Sequence, residues 1–288
     1  MQLADHEVTT REVKSWKGVH LLHFQSSACS QKVRILLAEK GIEYTSHHVN
    51  LARKQNATPW FLGINPRGVV PVLVHDGVVH VESNDIMEYA DATLASDPQP
   101  FFPQGDAESE TVGRSLALED SLHLDLRNVT MAFIVPARAA RRSEREIERY
   151  QKSGAPNAAR DKEVAYWRAF AKNGGATEDA LGRSLGAFRS AFAGLEHQLE
   201  SNPWLIGDCI SVLEIAWFIS VHRLVTAGYP IENHPRLAAL YERLLARDTF
   251  AREIDPGAPL RWALGAYGAY RRFSGTTLRE FASSHAQA

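Results

Sequence analysis

Gln25-Ser-Ser-Ala-Cys-Ser30 places three hydroxyls and a thiol where a short apolar run gives way to a helical pattern. At such a junction the unpaired backbone N–H groups and the helix dipole favour a negative charge, so a thiolate would be stabilised there. A thiol of pKa near 8.5 is only ~3% ionised at pH 7, and lowering that pKa by two units corresponds to roughly 2.7 kcal/mol. A hydroxyl hydrogen bond plus the helix terminus can supply that amount. Ser27 is then a candidate donor to a bound thiolate, the alternative being a serine that only caps the helix. Cys29 is either a nucleophile itself or a small buried apolar residue, whereas Cys209, in an apolar stretch, reads as structural.

Two further segments suit an extended, amino-acid-like ligand. Val70-Pro71 precedes a predicted strand, where a cis proline would leave the Val70 backbone open to pair with it; a trans proline opening an edge strand is the alternative. Glu82-Ser83 offers a carboxylate and a capping hydroxyl beside backbone donors, suited to an α-amino-acid end group or to a plain helix cap. The histidines form no ligand set: His20 and His23, like His75 and His80, stand at odd intervals on predicted strands and face opposite sides, so no metal site is expected. Neither a Gly-rich phosphate loop nor a Gly-x-Ser-x-Gly elbow occurs.

The elements that must position these groups follow from the apolar pattern. Residues 1 to about 18 are polar and aperiodic, and structure is expected to begin with a strand at Val19–Phe24. A helix over Cys29–Lys40 stops at Gly41, followed by a strand at Tyr44–Val49 and a short helix at Trp60-Phe-Leu. Pro71–Val74 and Val78–Val81 around Asp76-Gly77 predict a hairpin, and a helix runs from Ser83 to about Leu94. This βαβ then ββα order is a thioredoxin-like α/β domain with a mixed sheet over residues 19–96. After a linker at Ser96-Asp-Pro-Gln-Pro100, only helical patterns appear, giving an all-helical domain over residues 106–273.

Within that domain, residues 137–175 stand out for their charge. Arg138, Arg141, Arg142, Arg145 and Arg149 alternate there with Glu144, Glu146 and Glu148, the pattern of a solvated helix face. Asn173-Gly-Gly175 precedes a helix at Asp179–Leu199. Leu205–Val225 is apolar but interrupted by Asp208, Glu214, His222 and Arg223, as in a buried helix and not a membrane span. Ser211 and Glu214 form a capping box at its start.

The chain's 288 residues suffice for two domains, and 44% hydrophobic with 23% charged residues is a globular composition. A net charge of −2 supplies no basic field for nucleic acid. Two cysteines cannot build a disulfide framework and no signal sequence is evident, so the cytoplasm is the expected location.

Ser27-Ala-Cys-Ser-Gln-Lys-Val-Arg-Ile-Leu-Leu-Ala-Glu-Lys-Gly41, Asn65-Pro-Arg-Gly-Val-Val-Pro71 and Val81-Glu-Ser-Asn-Asp-Ile-Met-Glu-Tyr89 resemble, in order and spacing, the three N-terminal signatures of the cytosolic glutathione transferase superfamily. Trp204-Leu-Ile-Gly-Asp-Cys-Ile-Ser-Val-Leu-Glu-Ile215 is similar to that family's helix-six capping motif, with Glu214 where Asp is usual. The resemblance implies glutathione as cosubstrate and no metal. It gives Ser27 the place of the serine that donates to glutathione sulfur in zeta-, tau- and delta-like classes, and Cys29 the place of the beta-class cysteine. Val70 beside cis-Pro71 would pair with the cysteinyl unit, Glu82 and Ser83 would hold the γ-glutamyl end, and Gln55 or Asn56 would reach the glycyl end. It further implies a homodimer.

Ser27-Ala-Cys-Ser-Gln-Lys32 also resembles a tetrachlorohydroquinone reductive dehalogenase, and other segments resemble bacterial lignin β-etherases and the ganglioside-induced differentiation-associated proteins, the last resemblance implying a long insertion around residues 137–175. Three functions follow as alternatives. The first is attack of glutathione on a small hydrophobic electrophile, with Leu126, Phe133 and Arg138 of a fourth helix lining its pocket. The second is glutathione-dependent reduction through Cys29, and the third is non-catalytic glutathione binding. None involves nucleic acid or a membrane.

Overall fold

The fold is seen in a computed structural model that describes residues 1–96, 99–152 and 158–284. Asp97 and Pro98 of the expected linker lie outside the described residues. Leu21 and Leu22, consecutive and fully buried, point to opposite faces of strand β1 (Val19–His23), which therefore sits inside the sheet with both faces covered. Helix α1 (Ala28–Glu39) carries the chain over to β2 (Thr45–His48), parallel to β1 as a crossover connection requires. After α2 (Pro59–Leu62), strand β3 (Val72–His75) pairs antiparallel with β1, and β4 (Val78–His80) pairs antiparallel with β3. The sheet order is β2-β1-β3-β4, and α3 (Ser83–Thr93) follows. The β3–β4 connection is a two-residue turn with Asp76 at φ 46° and Gly77 at φ 83°. A Cβ on Gly77 would lie 2.3 Å from the Lys14 carbonyl oxygen, so close backbone approach as well as φ demands glycine.

Lys14 belongs to a segment that sequence patterning left structureless. Structure begins at the N-terminus and not at Val19: two 3₁₀ turns, Asp5–Glu7 and Arg11–Ser15, lay Leu3, Val8 and Val13 into the core beside Leu22, Val72, Val74 and Val79. The Leu3 N–H donates to the Val79 carbonyl at 2.9 Å. Apolar residues five apart fit neither a helix nor a strand period, which is why the pattern is silent there.

On the other face, α1 and α3 pack together. Lys32 Nζ donates to Asn84 Oδ1 at 3.2 Å, near the two helix starts, and Lys40 Nζ meets Asp91 Oδ1 at 2.9 Å near their ends. The helices are thus parallel, with both N-termini at one edge of the sheet. The Lys40–Asp91 side chains are almost wholly buried (0% and 2% exposed), so removing either partner would strand a charge in the interior.

Contacts divide the chain into one unit of residues 1–99 and 142–172 and another of residues 100–141 and 173–288. The expected insertion is thereby split from the helical domain: α7 (Glu144–Lys152) and α8 (Ala158–Lys172) group with the α/β unit. The reason is an apolar side that charge alternation hid, with Ile147, Val164, Trp167 and Phe170 buried. Arg142 lies 3.9 Å from the centre of the Trp167 ring instead of on a solvated face.

The second unit holds α4 (Asp106–Ser121), α5 (His123–Val129), α6 (Ala137–Ala140), α9 (Glu178–Gln198), α10 (Val212–Ala227), α11 (Pro235–Leu245), α12 (Asp248–Ile254), α13 (Ala258–Phe273) and α14 (Leu278–Ser284). The expected continuous fourth helix is broken by a π-helical turn at Thr130–Ile134 and ends before Pro136, so Leu126, Phe133 and Arg138 do not share a face of one helix. Leu126 and Phe133 are buried within the helical unit, and Arg138 is exposed. Helix α10 is buried along most of its length, and among the described residues no helix is long and apolar enough to cross a membrane.

The capping box forms as expected. Glu214 accepts from the Ser211 N–H at 2.8 Å and from the Leu205 N–H at 2.6 Å, while Ser211 Oγ accepts from Leu213 N. Burial pushes the Glu214 carboxyl above its usual range despite these bonds, because desolvation outweighs them. Glu214→Ala, which orphans two buried N–H groups, should cost about 2–4 kcal/mol in chemical denaturation, against about 1 kcal/mol for Ser211→Ala.

Further along α10, His222 contacts the Tyr241 hydroxyl at 3.0 Å, and burial pushes its pKa down to about 4 from 6.5. The folded state favours the neutral ring, so this stability is present above pH 6.5 and is lost as pH falls toward 4. Denaturation at pH 7 and pH 4.5 should show the wild type losing about 2 kcal/mol more than His222→Phe over that interval.

Candidate active site

Three backbone segments meet at the edge where α1 and α3 begin. The first is the turn after β1. Ser27 is the N-cap of α1, and its Oγ accepts from the Ser30 N–H at 3.3 Å. That bond uses a lone pair and leaves the hydroxyl proton available to a ligand. The turn is gripped from beneath by buried Arg34, whose guanidinium donates to the Gln25 carbonyl at 3.1 Å and the Phe24 carbonyl at 3.4 Å. Cys29, the second residue of α1, is half-buried and in no disulfide. No acidic residue occupies the first turn of α1, so its positive end is offset by no carboxylate of its own.

The second segment is Asn65–Pro71. The Val70-Pro71 bond is cis, and the ladder between β1 and β3 ends at the Leu22–Val72 pair, so the Val70 backbone lies just beyond the sheet beside the end of β1. Fully buried Asn65 shapes the loop from both ends of its amide, donating to the Val69 carbonyl at 2.9 Å and accepting from the Arg67 N–H at 3.0 Å. Gly68, at φ 66°, is hemmed in by Leu62, the Asn56 carbonyl and Tyr150, each within 3.3 Å of where its Cβ would be.

The third segment is the start of α3. Glu82 stands before the helix at φ 65°, an unusual conformation for a residue with a Cβ, and Ser83 is buried behind it. The Arg67 guanidinium forms a close ion pair with the Glu82 carboxylate. Together with Lys32–Asn84 this links all three segments.

Of the expected glycyl-end residues, Asn56 joins this group, its amide donating to the Gly68 carbonyl at 2.8 Å. Gln55 turns back on its own loop, its Oε1 accepting from the Asn50 N–H at 2.6 Å. Their neighbour Lys54 has its pKa lowered by burial and by the nearby charge of Arg142, while Glu146 Oε1 lies 3.8 Å from its Nζ. Glu146 is itself held below the usual carboxylate range, first by the Ser143 N–H.

Sequence reasoning passed over Arg34, Lys32, Arg67, Tyr150 and Arg160. Arg67 sits inside the quoted Asn-Pro-Arg-Gly motif, yet only the fold brings it to Glu82. Among the described residues, no group of three or more His, Cys, Asp or Glu side chains is placed to hold a metal ion. The site therefore offers one anion-favouring helix end with a hydroxyl and a thiol, the Val70 backbone beyond the end of the β1–β3 ladder, and a paired cation and anion at a second helix start.

The family model "Glutathione S-transferase, N-terminal domain" matches residues 26–93, and "Glutathione S-transferase, C-terminal domain" matches residues 178–243. Protein LigF of Sphingobium sp. strain SYK-6 is 29% identical over 79% of this chain and 89% of its own length. Maleylacetoacetate isomerase maiA of Aspergillus fumigatus is 27% identical over 81% of this chain and 89% of its own. The crystal structure of β-etherase LigF superposes with a TM-score of 0.71 at 25% identity, covering 83% of this chain and 99% of that one. With both domain models matched in order and the same sheet and helical architecture in its relatives, the chain belongs to the glutathione S-transferase family and is an enzyme of that family.

Proposed function

We propose that this enzyme binds glutathione along the three converging segments and activates its thiol at the start of α1 for attack on a small hydrophobic electrophile. The observation that carries the reading is the Ser27 hydroxyl, which accepts from Ser30 N–H and keeps its own proton for a sulfur acceptor at a helix N-terminus. A thiolate there gains a charge-assisted hydrogen bond and the helix field, and so a larger ionised fraction at neutral pH. The Val70 backbone, clear of the ladder, suits an extended cysteinyl unit, and Glu82 with Ser83 suits the α-amino-acid end. Asn56 or Gln55 remains the proposed contact for the glycyl end.

The names of the relatives, an etherase and an isomerase, fit such a nucleophile. A thiolate attacking carbon can displace an ether oxygen, and it can add reversibly to a conjugated double bond. One feature favours a second reading: Cys29 is half-buried, not sealed in the core, and lies in the same helical turn. In glutathione-dependent reduction the Cys29 thiolate would attack the sulfur of a glutathionylated substrate, which leaves with the bond's electron pair and takes up a proton, and a second glutathione thiolate would then displace Cys29 from the mixed disulfide as glutathione disulfide.

Calorimetry with glutathione and turnover of an aryl electrophile panel separate these. Under conjugation, Ser27→Ala should lower kcat/KM by about 10²-fold, and Cys29→Ser by less than about threefold. The reverse ranking would establish the reductive reading, and failure to bind glutathione would sink both. Light scattering should give twice the monomer mass of 32.0 kDa if the protein is a homodimer.

A further inference from the structure

The charged segment whose pattern reads as a solvated helix face reaches the Asn65–Pro71 loop. Helices α7 and α8 form a hairpin closed on itself by buried Ile147, Val164, Trp167 and Phe170, and by Arg168, which reaches Glu144 at 3.0 Å and Gln151 at 3.1 Å. Two of its side chains then leave the hairpin for the loop before cis-Pro71. The Tyr150 hydroxyl donates to the Arg67 carbonyl at 3.2 Å, and the Arg160 guanidinium donates to the carbonyl of Pro66. Arg160 is only 2% exposed, so its charge is committed to the interior and to this backbone.

Both bonds fall on consecutive carbonyls of the residue pair whose second side chain meets Glu82. Fixing the Pro66 and Arg67 carbonyls fixes the Arg67 Cα, and with it the direction from which the guanidinium approaches the carboxylate. Arg67 and Glu82 present a cation and an anion side by side, the complement of the ammonium and carboxylate at the γ-glutamyl end of glutathione.

We infer that the α7–α8 hairpin is a brace for the glutathione site, with Tyr150 and Arg160 as positioning residues that set the Arg67–Glu82 pair to receive the γ-glutamyl end of the ligand. The inference rests on the glutathione reading above and assigns a role to residues 142–172, which lie outside both matched family models. Gly68, at φ 66°, packs beneath the brace: a Cβ there would lie 3.3 Å from Tyr150 Cε2 and 3.2 Å from the Asn56 carbonyl oxygen.

The test compares wild type, Tyr150→Phe and Arg160→Lys with two thiols, glutathione and cysteinylglycine, which lacks the γ-glutamyl unit. Each variant should raise the Kd for glutathione about five- to tenfold, the worth of one hydrogen bond, with kcat at saturation changed by less than about twofold. The KM for cysteinylglycine should stay at its wild-type value. Equal glutathione affinity in wild type and both variants overturns the brace. Parallel losses for both thiols also overturn it, since a general loosening of the site would spare neither. Tyr150→Phe removes a single oxygen from a half-buried ring and keeps the test decisive if Arg160→Lys fails to fold. Wild type that binds no glutathione removes the parent reading, an outcome distinct from variants that match a binding wild type.

Discussion

The parallel pairing of α1 and α3 is the constraint on which the site depends. Lys32 ties the starts of the two helices through Asn84, and the buried Lys40–Asp91 pair ties their ends. Because the helices share a direction, both positive ends and both sets of unpaired N–H groups emerge at one edge of the sheet. Antiparallel helices would have offered that edge one positive and one negative end. A buried ion pair adds little net stability compared with apolar packing, but losing one partner is expensive, so it serves chiefly to hold this one register.

The sheet supplies the third side. β1 ends at His23 and β3 starts at Val72, adjacent in the antiparallel ladder, so the cis-Pro71 loop comes up beside the turn that leads to Ser27. Buried polar side chains then take over from regular structure. Arg34 beneath the Ser27 turn and Asn65 within the Asn65–Pro71 loop satisfy carbonyls and N–H groups that neither helix nor sheet can reach. Such loops stay in one conformation because leaving a buried carbonyl or guanidinium unpaired costs more than a net hydrogen bond contributes. The Arg67–Glu82 pair and the hairpin carbonyl contacts extend the same device outward from Asn65.

The two family models leave residues 94–177 unmatched, and that interval contains the hairpin. Ser27 and Cys29 lie within the matched N-terminal model, as do Asn56, Arg67 and Glu82. The hairpin reaches the Asn65–Pro71 loop through Tyr150 and Arg160, and its Glu146 lies 3.8 Å from Lys54 Nζ.

Local chemistry in the sequence determined a good deal. Asp76-Gly77 specified its turn, Gly41 its helix stop at φ 63°, Ser211 and Glu214 their capping box, and Ser27 its N-cap, because each depends on backbone groups within a few residues. The strand and helix order, and with it the thioredoxin-like domain, followed from the same local periodicity. What only the tertiary structure decided were contacts between residues remote in sequence. Leu3, Val8 and Val13 have no period of their own and become core only when β3 and β4 are there to receive them. The charges of residues 142–172 mimic a solvated surface until Trp167 meets Arg142 and Arg160 meets Pro66. Arg67 becomes part of the site through Glu82, fifteen positions on. Pattern encodes what neighbours along the chain will do, whereas pairing of distant polar groups is settled only when packing removes them from water and leaves each needing a partner.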